Sequence, residues 1–230
     1  MCNKFAQLVT KPDGTQHWIR PSYDAPTTLY DGKTHSDLMR KSEMKYPKNP
    51  VEVIYRAKSG IEKMNSFQWG RPLPDKSKVV NNTRIENITT HWSKYSDNRV
   101  LIPITHFQEY KEESGLRKPF NIWFNDFPIA YMAGLAGTHF PEDKNQEPIR
   151  WVSLITQEAC SKMRLIHNSG DNRFRQPCLV KPSAWDFWLS DKHYGEETFF
   201  KLCQGYLSEE ITAEEEEIPG SQMGLFTNPT

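Results

Sequence analysis

Phe120-Asn121-Ile122-Trp123-Phe124 and Ile129-Ala130-Tyr131-Met132-Ala133 are two short runs rich in aromatic and β-branched side chains, separated by Asn125-Asp126-Phe127-Pro128. Runs of this kind read as strands, and the Asn-Asp and Pro between them read as a hairpin connection. The signature repeats outward in both directions. Residues 100–104 carry it upstream, with 51–55 and 15–20 further back; 151–156 and 178–180 carry it downstream. Helical spacing is rarer. Residues 35–44 show it, as do 157–166 behind Thr156 as a predicted N-cap. Ser183-Ala184-Trp185-Asp186 reads as a variant capping box opening a short helix. Residues 196–207 place Phe199, Leu202, Cys203 and Tyr206 on one helical face. Strands with scattered helices, and no regular βαβ alternation, predict an α+β fold: one domain over 1–207 with a mostly antiparallel β core and peripheral helices.

The composition sets the outer limits. The chain has 230 residues, with 29 Lys and Arg against 29 Asp and Glu. Residues 208–230 hold six of the glutamates and no Lys or Arg, which predicts an acidic, solvated C-terminal tail. The remaining 207 residues then carry a balance of +6, compatible with a polyanionic partner. No run approaches the roughly 18 apolar residues of a membrane span. The first residues, Met-Cys-Asn-Lys-Phe-Ala-Gln, lack the apolar stretch of a signal peptide, so a cytoplasmic protein is expected. The four cysteines, at 2, 160, 178 and 203, match no zinc spacing, and neither a metal nor an organic cofactor is expected. Cys160 and Cys203 lie in apolar helical patterns and are expected to be buried.

Cys2 stands apart through its position. Aminopeptidases remove Met1 when the next residue is small, which leaves Cys2 with a free α-amine beside its thiol. The amine has a reference pKa of about 7.7–8, so a fraction is neutral and nucleophilic at pH 7. The thiol, near 8.5, is partly thiolate and open to lowering by its surroundings. Such a 1,2-aminothiol captures aldehydes: the amine forms a Schiff base and the thiol closes it to a thiazolidine. The same terminus also serves as a hydrolase nucleophile with its own amine as base.

Cys2-Asn3-Lys4-Phe5 is followed in order by Trp69-Gly70, Asn82-Thr83-Arg84-Ile85-Glu86 and the run Arg99-Val100-Leu101-Ile102-Pro103-Ile104-Thr105-His106-Phe107-Gln108-Glu109-Tyr110. Ala133-Gly134-Leu135, Thr156-Gln157-Glu158-Ala159, Ile166-His167-Asn168-Ser169 and the stretch 173–177 complete the set. This ordered set resembles the SOS response-associated peptidase (SRAP) family, whose members crosslink to abasic sites in single-stranded DNA. The family pattern Cys-Gly-Arg-Phe is Cys2-Asn3-Lys4-Phe5 here, Gly-Phe-Tyr-Glu-Trp is residues 106–110, and Ile-His-x-Arg-Met-Pro is stretched by residues 168–172.

The resemblance implies that Asn82 orients the Cys2 amine, although a residue in an Asn-Asn pair after Val-Val also suits a turn. Arg84 has the fork of donors that grips a phosphate, or pairs with Glu86 at the surface. Glu109, at the end of an apolar strand, is placed for a raised pKa and proton transfer near neutrality; the alternative is a solvated member of the cluster with Glu112 and Glu113. The resemblance further implies that His167 helps to open the abasic sugar and assists β-elimination or reversal, while a helix C-terminus by itself favours a histidine. Trp69 reads as an exposed base-stacking residue, against the usual core fate of tryptophan. Lys4, Arg71, Arg84, Arg99, Arg173 and Arg175 are candidates for a phosphate track, with the family's arginine role open between Arg173 and Arg175. The expected activity is therefore capture of an abasic deoxyribose in single-stranded DNA on processed Cys2, by a protein in the cytoplasm that joins the nucleoid during DNA damage. An N-terminal-nucleophile amidohydrolase and a non-enzymatic nucleic-acid-binding module are the alternatives.

Overall fold

The computed structural model describes residues 2–8, 42–74, 78–126, 129–203 and 205–216. Fourteen strands are assigned in this range. In chain order they are β1 (Lys4–Leu8), β2 (Ser42–Lys45), β3 (Pro50–Arg56), β4 (Glu62–Trp69), β5 (Arg71–Pro72), β6 (Val79–Val80), β7 (Asn82–Arg84), β8 (Arg99–Ile104), β9 (His106–Glu113), β10 (Leu116–Phe124), β11 (Ala130–His139), β12 (Ile149–Glu158), β13 (Arg175–Pro177) and β14 (Ile211–Glu215). Three short α-helices, α1 (Ser161–Ile166), α2 (Trp185–Trp188) and α3 (Glu196–Leu202), lie outside the sheets. The fold is α+β and mostly antiparallel, as the strand runs predict.

Two sheets form the core. The first has the order β14-β10-β9-β1-β2 and is antiparallel throughout. The second follows β11-β8-β3-β4-β12-β13, with β11 also pairing β12 and β7 joining β12. The pairings of β12 with β4 and β7 are parallel. Strand β8 is buried at all six positions, which explains its unbroken apolar run. The chain passes from the second sheet to the first at Thr105, whose N–H donates to Ala6 O (2.9 Å). Gln7 stitches the same seam. Its Nε2 donates to Pro103 O and Glu52 O, and its Oε1 accepts from Glu52 N, each at 2.9 Å. A buried amide that makes all these bonds fixes register as well as satisfying itself.

Several expectations need correction. The hairpin expected around residues 125–128 is not formed: β10 pairs within the first sheet and β11 within the second, so the chain changes sheets between them. Turn residues specify a change of direction, not a pairing partner. Of the helix expected over 35–44, the described part from Ser42 is strand, held in register by Phe5–Leu8. Helix α1 starts at Ser161 rather than 157, because β12 continues to Glu158 against β13. Thr156 is not its N-cap; its hydroxyl donates to Thr83 O (3.3 Å). The capping box expected at 183–186 makes no side-chain cap bond; a 3₁₀ turn over Pro182–Ala184 leads into α2. Helix α3 ends at Leu202, and Tyr206 is buried beyond it. Residues 178–180 run beside β11 through Ala133 N to Cys178 O (2.9 Å) and Val180 N to Tyr131 O (3.0 Å). Cys203 is buried and Cys160 half-buried. The strand expected at 15–20 lies outside the described residues.

The domain boundary at 207 also moves. Ile211–Glu215 form the edge strand β14, and Ile211 is in the core at 1% exposure. The alternation of Ile211 and Ala213 with Thr212 and Glu214 is a strand pattern that the density of glutamates obscures.

Candidate active site

Cys2 precedes β1 and is 1% exposed. Its thiol donates to Lys4 O (3.3 Å), and its carbonyl accepts from Asn82 Nδ2 (2.9 Å). Asn82 is placed by β7, which lies parallel to β12 with Leu154 opposite Asn82; Leu154 N donates to Asn81 O (2.9 Å). The other amide atom of Asn82, Oδ1, is buried and without a hydrogen-bond partner. Asn81 Nδ2 donates to Asn3 Oδ1 (2.9 Å), which ties down the side chain that replaces the family's glycine.

Glu109 reaches the same place from β9, two strand positions beyond Phe107, the partner of Phe5. It is 5% exposed, and its Oε1 is buried without a partner. Oε2 stands 3.9 Å from His167 Nε2. His167 follows α1, its N–H bonded to Met163 O, and its Nδ1 is 3.0 Å from Arg175 O. A carbonyl only accepts, so Nδ1 carries the proton and Nε2 presents a lone pair towards Glu109.

Electrostatics reverse the ordinary roles of these groups. Burial pushes the Glu109 carboxyl up to about 7, with the amino-terminal charge and Arg117 opposing the rise. Burial pulls His167 down to about 4, helped by the amino-terminal charge and opposed by the bond to Arg175 O. Near neutral pH the histidine is therefore a neutral acceptor, and the carboxyl is the group that exchanges a proton. Burial, followed by the negative charge on Glu109, raises the Cys2 thiol well above its ordinary value. The surroundings to which the Cys2 thiol was open thus raise it instead of lowering it. An open cleft of about 410 Å³ adjoins the group, lined by Asn3, Lys4, Glu109, His167 and the loop 169–172.

The expected DNA contacts divide. Lys4 borders the cleft, with Nζ donating to Gln108 Oε1 (2.8 Å) and to the Tyr110 hydroxyl, and lies 5.0 Å from the Tyr110 ring centre. Arg84 is exposed and donates to Asn172 Oδ1 (3.1 Å); Arg173 is exposed on the same loop. Arg175 is turned inward and already paired. It is 8% exposed, forks onto Glu86 (2.8 and 2.9 Å) and donates to Thr156 O (2.6 Å). Its partner Glu86 is thereby taken from Arg84. Arg99 is likewise internal, with four bonds to the carbonyls of Ser96, Trp188, Ser190 and Lys192. Trp69 is fully buried, packed on Phe5 with ring centres 4.4 Å apart, and donates from Nε1 to Asn81 O (3.0 Å). It supports the residues flanking Cys2 and Asn82 instead of stacking on a base. Gly70 beside it has φ +108°, and a Cβ there would sit 2.5 Å from Val79 Cγ2.

Sequence reading missed Arg117, Tyr46 and Tyr110 on the cleft. Arg117 reaches it because β10 pairs with β9 so that Arg117 opposes Glu112; no local pattern carries that signal. Among the described residues no group of three or more His, Cys, Asp and Glu is arranged for a metal ion, and no helix is long and apolar enough to cross a membrane.

Solved structures share this architecture. A protein from Bordetella bronchiseptica is 17% identical, covering 94% of this chain and 100% of its own, with a TM-score of 0.68. A protein from Bacteroides thetaiotaomicron is 20% identical over 76% of this chain and 77% of its own, at 0.66. A phage-related protein from B. bronchiseptica is 16% identical over 94% and 95%, at 0.63. At these identities the likeness is one of fold. No curated protein matches the chain. The family model for SOS response associated peptidase matches residues 1–216, from the residue before Cys2 to the end of the described fold. With Cys2, Asn82, Glu109 and His167 gathered by four separate segments within that span, the chain belongs to the SOS response associated peptidase (SRAP) family.

Proposed function

We propose that this protein binds single-stranded DNA at abasic sites and captures the sugar aldehyde on Cys2 once Met1 is removed. The observation that carries the reading is Glu109: a buried carboxyl at about pKa 7, with one oxygen unpartnered, beside an N-terminal thiol and a neutral histidine. The Cys2 amine adds to the opened deoxyribose aldehyde to give a carbinolamine. Loss of water, with Glu109 as proton donor, leaves the Schiff base. The thiol then adds across the C=N bond, its proton passing to Glu109 or the new amine nitrogen. The balance is aldehyde plus aminothiol giving thiazolidine and one water. Asn82 holds the Cys2 carbonyl and offers Oδ1 to the amine, and Nε2 of neutral His167 accepts a proton from the sugar hydroxyl during ring opening. The same groups would support strand cleavage by β-elimination. Self-removal of Met1 by a peptidase-like reaction agrees with the family's description, and an aminopeptidase serves as well.

Intact mass spectrometry before and after incubation with an abasic single-stranded oligonucleotide tests this reading. The expected adduct has the mass of the Met1-free protein plus the oligonucleotide minus one water and survives acid denaturation, whereas Cys2→Ala, which keeps only the amine, gives at most a Schiff base that hydrolyses under those conditions. Absence of an adduct with a wild-type chain that lacks Met1 overturns the reading. Turnover of acyl amides without any DNA adduct would point instead to an N-terminal-nucleophile amidohydrolase.

A further inference from the structure

With Trp69 in the core, the nucleotide next to the reacting sugar has no stacking partner among the residues singled out from the sequence. Phe174 occupies a position suited to that task. It closes the loop that departs from the family pattern, and its conformation is unusual: φ is +61°, a left-handed backbone that a bulky side chain rarely adopts. Hydrogen bonds on both sides hold it there. Phe174 N–H donates to His167 O (2.8 Å), and Ala159 N–H donates to Phe174 O (2.9 Å). The loop is also pinned at its start, where Asn168 makes paired bonds to the backbone of Glu112 (2.8 and 2.9 Å). The strained residue is therefore fixed directly against the backbone of His167.

The ring is half-buried, with two guanidinium groups near it. Those of Arg164 and Arg173 each lie 5.5 Å from its centre. Both arginines are exposed; Arg164 is tethered by Ala159 O (3.1 Å) and Glu158 Oε2 (3.2 Å). An apolar ring used only for packing has no need of flanking cations or of a strained backbone beside the site. Aromatic rings bordered by cations are how single-strand binders hold bases and phosphates together.

We propose that Phe174, with Arg164 and Arg173 beside it, is the platform on which a base neighbouring the abasic nucleotide stacks, with Arg173 on the adjoining phosphate. This rests on the reading of the site as a binder of abasic single-stranded DNA. The test compares fluorescence anisotropy on two labelled strands of equal length, one bearing bases and one made of tetrahydrofuran spacers, which have phosphates but neither bases nor aldehydes. Wild type should prefer the base-bearing strand. Phe174→Leu, which keeps apolar bulk but loses the π face, should weaken that strand by about 5- to 150-fold and erase the preference. Phe174→Trp should keep the preference, and it decides the matter should the leucine variant fail to fold. Equal binding of the base-bearing strand by wild type and Phe174→Leu, or loss of the preference in Phe174→Trp, overturns the proposal. So does equal weakening on both strands by Phe174→Leu. A wild-type protein that crosslinks abasic DNA but is insensitive to Phe174 removes this inference alone; one that neither binds nor crosslinks removes the proposed function with it.

Discussion

Glu109 and Asn82 each hold one buried oxygen that nothing in the described structure satisfies. Such atoms cost stability, and a fold that keeps two of them beside one thiol keeps them for a ligand or a proton. The rise of Glu109 from its ordinary 4.5 to about 7 has a thermodynamic consequence. Between these values the folded chain binds a proton that the unfolded chain releases, so this group's contribution falls as pH rises from about 4.5 to 7 and then levels. At about 1.36 kcal/mol for each tenfold change in proton affinity, the loss is roughly 3 kcal/mol. Glu109→Gln should therefore gain roughly that much on wild type between pH 5 and pH 8, as read from urea midpoints; parallel profiles would show that Glu109 is not titrating there. The same substitution should slow crosslinking by about 10²–10⁴-fold and remove the limb of the rate profile near pH 7. His167 works in the opposite direction. With its pKa lowered to about 4, its contribution is complete above about 6.5 and is lost as pH falls towards 4. His167→Gln should flatten the acid side of the stability profile while slowing sugar opening, and an unchanged acid slope would place its proton uptake elsewhere.

Among the elements, β14 joins distant parts of the fold. It covers the edge of β10, buries Ile211, and ends where Gln108 donates to Glu216 Oε2 (2.5 Å); Gln108 in turn accepts from Lys4. Ile211→Ala should cost about 2–5 kcal/mol. A chain ending at 207 should lose cooperative unfolding or solubility, because it exposes a long strand edge. A truncated chain melting at the wild-type temperature would restore the solvated tail. The strands themselves were legible wherever one run of apolar residues sufficed, as at β3, β8 and β12. What the sequence concealed was partnership. The turn at 125–128 looks the same whether it closes a hairpin or changes sheets. Gln157 and Glu158 look helical until β13 is seen to pair with them. The four residues proposed to react were legible as a family pattern, since each sits in a short motif. Their protonation was legible only in part: an apolar strand foretold the rise of Glu109, but the desolvation of Cys2 and His167 depends on neighbours from remote segments.

For the whole molecule, the redrawn boundary changes the charge argument. Residues 1–216 hold 29 basic groups against 28 acidic ones, since only Glu217 lies beyond them, so the apparent excess of +6 shrinks to +1. Any attraction for DNA must come from where the charges sit. Lys4, Arg84, Arg117 and Arg173 lie on or beside the cleft, while Arg99 and Arg175 are committed inside. Four phosphate contacts at about −0.7 each predict a log–log salt slope near −3 for single strands. Arg84→Gln and Arg173→Gln should each make it shallower by about 0.7, and a slope of zero would argue against any phosphate track. The position of Cys2 also has a mechanical meaning. It stands just before β1, which is hydrogen-bonded between β9 and β2, so under the proposed function a DNA strand joined to it would be a handle on an interior strand of a sheet. Tension on that strand would load Asn82's bond to the Cys2 carbonyl first and then the seam at Gln7. The adduct should therefore yield to a pulling machine by extraction of β1, with the rest of the fold collapsing behind it.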